Sequence, residues 1–248
     1  MHWWLISELL SYTNQEMLNI SREFSPVTTE IQPRSNLIAT VVNAYYDYLE
    51  NSLCNAVNYG GIGGVIGIIL FNNNSIYISS LIYCHEISHG FDDIGRRYDN
   101  NGNLKNWWSN NTLNDYKKRA WCLVEKFKKY AILNSIKTLS ENIADSTGIR
   151  AVFKAFEKHS VEKYSSNNMR LIGLENINTR KLFFLSYAHS FCEAMPLNKM
   201  LNMLMTDVHS PAPFRMTGTL SNMKEFSDVF ECSNKTIMNP QTKCGLWY

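Results

Sequence analysis

No run in the 248-residue sequence is long and apolar enough to encode a membrane-spanning helix. The longest unbroken stretch of apolar residues and glycine, 60–71, is about half of the roughly 20 residues such a helix needs, and asparagines at 72–74 stop it. An excess of one charge is also missing. The formal net charge is +2, basic and acidic residues are intermixed, and there is no polybasic arm, so nucleic acid is not expected as a partner. None of the six cysteines stands in a C-x-x-C pair. That argues against a thiolate zinc knuckle or a thioredoxin-like site and leaves disulfides open. The first ten residues hold two tryptophans but neither a basic n-region nor a small-residue cleavage site. They do not read as a signal peptide, and the chain is expected to lack its true N-terminus.

What is present can fill a sizeable core: 45% of the residues are apolar and 12% aromatic, so a globular protein of one large or two small domains is expected. N-x-S/T sequons at Asn19, Asn73, Asn110 and Asn234 are compatible with a secretory-pathway exterior, although an asparagine-rich sequence also produces them by accident.

The chemistry concentrates at C-H-E-I-S-H-G-F-D-D, residues 84–93. Histidines four apart on a helix lie one turn above each other. His85 and His89 can therefore bind a single Zn²⁺, with Glu86 between them reaching the metal-bound water as a general base. Two ordinary surface histidines would show the same spacing, so a third ligand has to be found. A later segment, S-E-N-I-A-D, puts Glu141 and Asp145 four apart on one helix face. A gluzincin-type site takes a glutamate from a later helix as its third ligand, and a carboxylate one turn on can hold a ligand imidazole by its other nitrogen. The alternative is a capping box of Thr138 with Glu141, and a surface Asp145.

Periodicity and turn residues predict the remaining elements. A helix is expected over about 6–24 and a strand over 38–48, within which Asn43 could face solvent. The glycine-dense segment 58–67 reads as close backbone packing and not as a dinucleotide loop, having no βαβ context. The motif helix should start near Ser79 or Ser80 and end by Gly90. Thr112 should open a helix with Leu113, Tyr116, Ala120, Leu123, Phe127 and Tyr130 on its core face and Lys117, Lys118, Lys126 and Lys128 on a solvated one. Further helices are expected over 139–159, 179–195 and 196–206, with Met200, Met203 and Met205 as core filler. His209 and Arg215 follow in a proline-rich loop that suits a cleft wall.

Seven motifs in order then carry a likeness: N-A-Y-Y (43–46), N-Y-G-G-I-G (58–63), H-E-I-S-H-G-F-D-D (85–93), E-N-I-A-D (141–145), D-V-H-S-P (207–211), F-R (214–215) and M-N-P with K-C (238–244). Together they resemble the C-terminal catalytic region of neprilysin-family zinc endopeptidases, from about residue 41 to the end. The resemblance implies an α+β, mostly α, thermolysin-like (gluzincin) catalytic domain truncated at its N-terminus. Residues 1–37 form a non-diagnostic segment, 38–248 the catalytic domain, and 68–84 a non-family insertion. It implies one Zn²⁺ per chain on His85, His89 and Glu141, with Glu86 as general base. Asp145 would orient a ligand histidine, and His209 would stabilise the oxyanion. Asn43, Ala44 and Arg215 would bind the peptide substrate. It also pairs Cys122 with Cys244, and it implies a location outside the cell or on the plasma-membrane exterior. The family's lid domain has no counterpart in this sequence, and its stretch after N-A-Y-Y is reduced here to residues 47–57. A catalytically incompetent fragment acting as a peptide-binding or relic protein is the alternative.

Overall fold

The computed structural model describes residues 43–49, 51–56, 75–130, 132–164 and 174–247. The helix expected over 6–24, the glycine-dense segment and the asparagines at 72–74 lie outside them. β1 (Asn43–Asp47) and β2 (Ser52–Ala56) form an antiparallel hairpin in the register Asn43↔Ala56 to Asp47↔Ser52. Asn51, with φ 47°, supplies the left-handed residue of the turn, an asparagine-tolerated conformation. The second strand was not read from the sequence: S-L-C-N-A shows no alternation of its own, and pairing with β1 defines it.

Seven helices follow among the described residues: α1 (Ser75–His89), α2 (Asn110–Lys128), α3 (Leu139–Tyr164), α4 (Thr179–Ser190), α5 (Leu197–Thr206), α6 (Ala212–Leu220) and α7 (Lys224–Val229). α1 starts at Ser75, earlier than expected, because S-I-Y-I-S-S-L-I-Y contains no glycine or proline and the helix runs through both serines. α2 is opened by Ser109, not Thr112: the Ser109 side chain accepts from the Thr112 N–H and the helix begins at Asn110. α4 stops at Ser190, short of residue 195.

α3 is the centre of the molecule. Every residue from Leu139 to Ile149 is buried, polar ones included. On one side Leu139 and Ile143 pack with Tyr116, Ala120, Leu123 and Val124 of α2 and with the C-terminal Leu246. On the other, Ile149, Val152, Phe153 and Phe156 pack with Cys84 of α1, Phe183, Phe184 and Tyr187 of α4, and Phe226 of α7. α3 and α1 cross closely because Gly148 has no side chain: a Cβ there would lie 3.0 Å from the His85 backbone nitrogen. A disulfide joins Cys122 of α2 to Cys244, as expected, closing a sequence separation of 122 residues.

Two expectations about packing are overturned. α5 buries none of its residues: Leu197, Leu201 and Met205 are 65, 52 and 81% exposed, so its methionines are not core filler. Lys126 does not extend into solvent from the charged face of α2; its Nζ is buried. No described helix is long and apolar enough to cross a membrane.

Candidate metal centre

α1 and α3 bring His85, His89 and Glu141 together, although Glu141 lies more than fifty residues later. The Nε2 atoms of the two histidines are 3.2 Å apart. His85 Nε2 is 3.2 Å from Glu141 Oε2, and His89 Nε2 is 3.6 Å from Glu141 Oε1. A tetrahedral ion with bonds of about 2.05 Å has ligand atoms about 3.3 Å apart. The observed spacings match that edge, and among the described residues these three side chains form the group that could hold a metal ion. Glu141 Oε2 strengthens the fit. It is buried beside ring nitrogens of His85 and His209, yet no well-directed hydrogen bond reaches it. An oxygen so placed suits a cation.

Each of the two histidines is held from behind. His85 Nδ1 lies 2.9 Å from Asp145 Oδ1, which settles Asp145 as a buried partner and not a surface acid. Thr138 does not cap Glu141: its hydroxyl donates to the Asn134 carbonyl and accepts from the Asn142 amide. His89 Nδ1 lies 2.7 Å from Oδ2 of Asp92, a fully buried residue. Asp92 Oδ1 accepts from the Ile94 and Gly95 N–H groups, both at 2.7 Å. The turn after α1 thus orients the second histidine. Sequence reading did not assign Asp92 a role; an acid three residues after a ligand histidine was the available signal.

Around the ligands the charges are dense. Burial alone would lower the His85 pKa, but hydrogen bonds and charge from Asp145 and Glu141 outweigh it and raise the value to about 10. Burial opposes ionisation of Asp145 too, and the Arg215 guanidinium with His85 overrides it, holding the carboxyl well below the usual range. Glu141 is likewise held down against burial by His209, His85 and His89. Glu86 differs: it is buried, and that desolvation raises its pKa.

Arg215 sits on α6 and not in the proline-rich loop expected from the sequence, because the helix begins directly after Pro211. Its Nε and Nη2 donate to Asp145 Oδ2 and Oδ1, each at 2.7 Å, a bidentate pair behind His85. His209 has Nε2 3.1 Å from Glu141 Oε2 and Nδ1 2.7 Å from Asp207 Oδ1. Its loop is tied to α3 by the Ser210 hydroxyl, which donates to the Asn142 side-chain oxygen at 3.2 Å. Asn43 and Ala44 sit on β1, which packs against α1.

Residues 73–246 match the model of peptidase family M13. The chain belongs to this family. Its relatives include neprilysin-11 of Caenorhabditis elegans, 36% identical over 92% of this chain and 27% of that protein. Endothelin-converting enzyme 1 of Bos taurus is 35% identical over 84% of this chain and 28% of its own. Neprilysin of Mus musculus is 36% identical over the same shares. The chain thus spans little more than a quarter of the relatives it matches. The fold agrees: a Haemonchus galactose-containing glycoprotein complex has a TM-score of 0.72 at 25% identity, covering 98% of this chain and 43% of that one. The zinc metalloprotease ZMP1 of Mycobacterium tuberculosis, at 22% identity, shares the fold with a TM-score of 0.68, over 94% of this chain and 36% of its own. Within M13 the mostly helical α+β architecture expected from the sequence is the architecture observed.

Proposed function

We propose that this chain is a zinc-dependent metalloendopeptidase region that hydrolyses peptide bonds in short peptides. The observation that carries the proposal is that His85, His89 and Glu141 each bring a ligand atom within 4.8 Å of the others, with Glu141 Oε2 buried and without a well-directed hydrogen bond. Zinc held by these three would polarise the scissile carbonyl and acidify water. The chain's own groups do the rest. Glu86, a carboxylate whose proton affinity burial raises, accepts the proton of the attacking water and passes it to the leaving amine. His209 donates its Nδ1–H to the Asp207 carboxylate, and Glu141 and Asp207 raise its pKa, which favours the imidazolium whose Nε2–H would meet the developing oxyanion. Asp145 and Asp92 orient the two imidazoles. Arg215 spends two of its five donors on Asp145, and the others remain to hold a substrate carbonyl. Asn43 and Ala44 on β1 pair with the substrate main chain in strand fashion, which makes binding tolerant of sequence.

A location outside the cell or on the plasma-membrane exterior is part of this reading, supported by the Cys122–Cys244 disulfide, a bond that persists in oxidising compartments. The test is metal content and turnover of an internally quenched peptide by the purified chain. One equivalent of zinc with chelator-sensitive cleavage supports the reading. Zinc without cleavage would support the binding or relic alternative, and absence of zinc would overturn both.

A further inference from the structure

Behind the Asp145–Arg215 pair, side chains of α4 and α6 meet in register. On α6, Arg215 and Thr219 are four residues apart and share a helix face; on α4, Tyr187 and the closing residue Phe191 do the same. The Arg215 guanidinium lies over the Phe191 ring, 5.2 Å from its centroid, and that ring stands 5.0 Å from the Tyr187 ring. The matching spacing sets Tyr187 against Thr219, whose hydroxyl acts on the phenol.

Both hydroxyls are deep inside the protein: Tyr187 is 4% and Thr219 1% exposed. Neither Tyr187 Oη nor Thr219 Oγ1 makes a well-directed hydrogen bond. A buried hydroxyl without a partner is costly, and folded proteins rarely leave one so. Here two stand side by side. Burial, then the charge of Asp145, pushes the Tyr187 pKa well above its ordinary 10, so the phenol keeps its proton and is a donor. An acceptor is within the same cluster. Asp145 Oδ1 accepts from Arg215 Nη2 and faces His85 Nδ1, whereas Oδ2 accepts from Arg215 Nε and has a second lone pair to offer.

We propose that Tyr187 is a positioning residue of the metal centre: together with Thr219 it holds one buried water against Asp145 Oδ2 and so fixes the carboxylate that orients His85. A buried water takes two to four polar partners, and the phenol, the threonine hydroxyl and that oxygen supply three. The inference rests on the metal-site reading and adds a layer behind it, with Asp145 as the link between the hydroxyls and the imidazole.

Tyr187→Phe and Thr219→Val each remove one hydroxyl and keep the shape of the side chain. Chelator competition on both and on the double variant measures zinc affinity. Each single change should weaken zinc binding by about threefold, less than the roughly 10–100-fold of a group that touches a ligand histidine directly. The double variant should bind no more weakly than the weaker single, because both changes release the same water. The visible spectrum of the Co²⁺-loaded chain, which follows ligand geometry, should shift in the same direction in all three. Idle hydroxyls would give the opposite pattern: a higher urea midpoint, as burial of an unpaired polar group is relieved, with affinity and spectrum unchanged. That result, or effects of the two single changes that multiply, would overturn the proposal. If the parent binds no zinc, the metal-site reading falls by itself, and urea midpoints of the metal-free variants still decide the coupling. A double variant no less stable than the weaker single supports the shared water, and additive shifts refute it.

Discussion

Replacing Gly148 by alanine puts two effects of comparable size in opposition. Glycine inside a helix costs about 1 kcal/mol relative to alanine, so propensity alone favours the substitution. The structure opposes it. A Cβ at position 148 would stand 3.0 Å from the His85 nitrogen, 3.2 Å from its Cα and 3.3 Å from the Cys84 carbonyl carbon. Ordinary contact begins at 3.4 Å, so α1 must retreat from α3 by at least 3.4 − 3.0 = 0.4 Å. All three neighbours are backbone, and no rotamer change can absorb the clash. Overpacking of this kind costs about 1–3 kcal/mol. It exceeds the propensity gain over most of its range, and we expect a net loss of up to about 2 kcal/mol. The displacement falls on His85 relative to Glu141, which shares α3 with Gly148, and takes up most of the roughly 0.5 Å that binding constellations tolerate. Zinc affinity should drop by about tenfold. Denaturant unfolding of the metal-free chain and chelator competition on the loaded chain measure the two quantities. A variant more stable than the parent with unchanged zinc affinity would refute the reasoning.

Other expectations follow from the same contacts. Glu86→Gln should keep zinc and lose peptide hydrolysis, and activity within threefold of the parent would remove Glu86 as the base. His209→Ala should lower turnover at constant zinc occupancy; metal loss would show that its role is misassigned. Asp92→Ala should weaken zinc binding by about 10–100-fold, measured by chelator competition, because it frees the His89 ring and leaves two turn N–H groups unpaired. Reducing the Cys122–Cys244 bond should cost about 5 kcal/mol by the chain-entropy estimate for its loop; a change below about 1 kcal/mol in urea melts would argue against the pairing. The Lys126 pKa of about 8 lies below its ordinary 10.5, so the folded chain binds fewer protons there and stability gains from this group as pH rises between the two values. The stability advantage of Lys126→Met should therefore be greatest below pH 8 and fade toward pH 10.5, which parallel melts across that range would check.

Much of the centre was legible because its parts are local. H-E-x-x-H fixes two imidazoles on one face of any helix, and S-E-N-I-A-D does the same for two carboxylates, so which of these side chains share a face follows from 3.6-residue periodicity. The order of the seven motifs carried the family and the disulfide. Tertiary structure alone decided which partners meet. Asp145 could not be known to face both His85 and Arg215, nor Asp92 to hold His89, until α1, its turn and α6 had packed around α3. Burial is likewise a property of the assembled chain: Lys126 and Met205 both sit on amphipathic helices, yet the ammonium is inside and the thioether outside. Helical spacing sorts side chains by face, and only the neighbouring element decides whether that face meets protein or water.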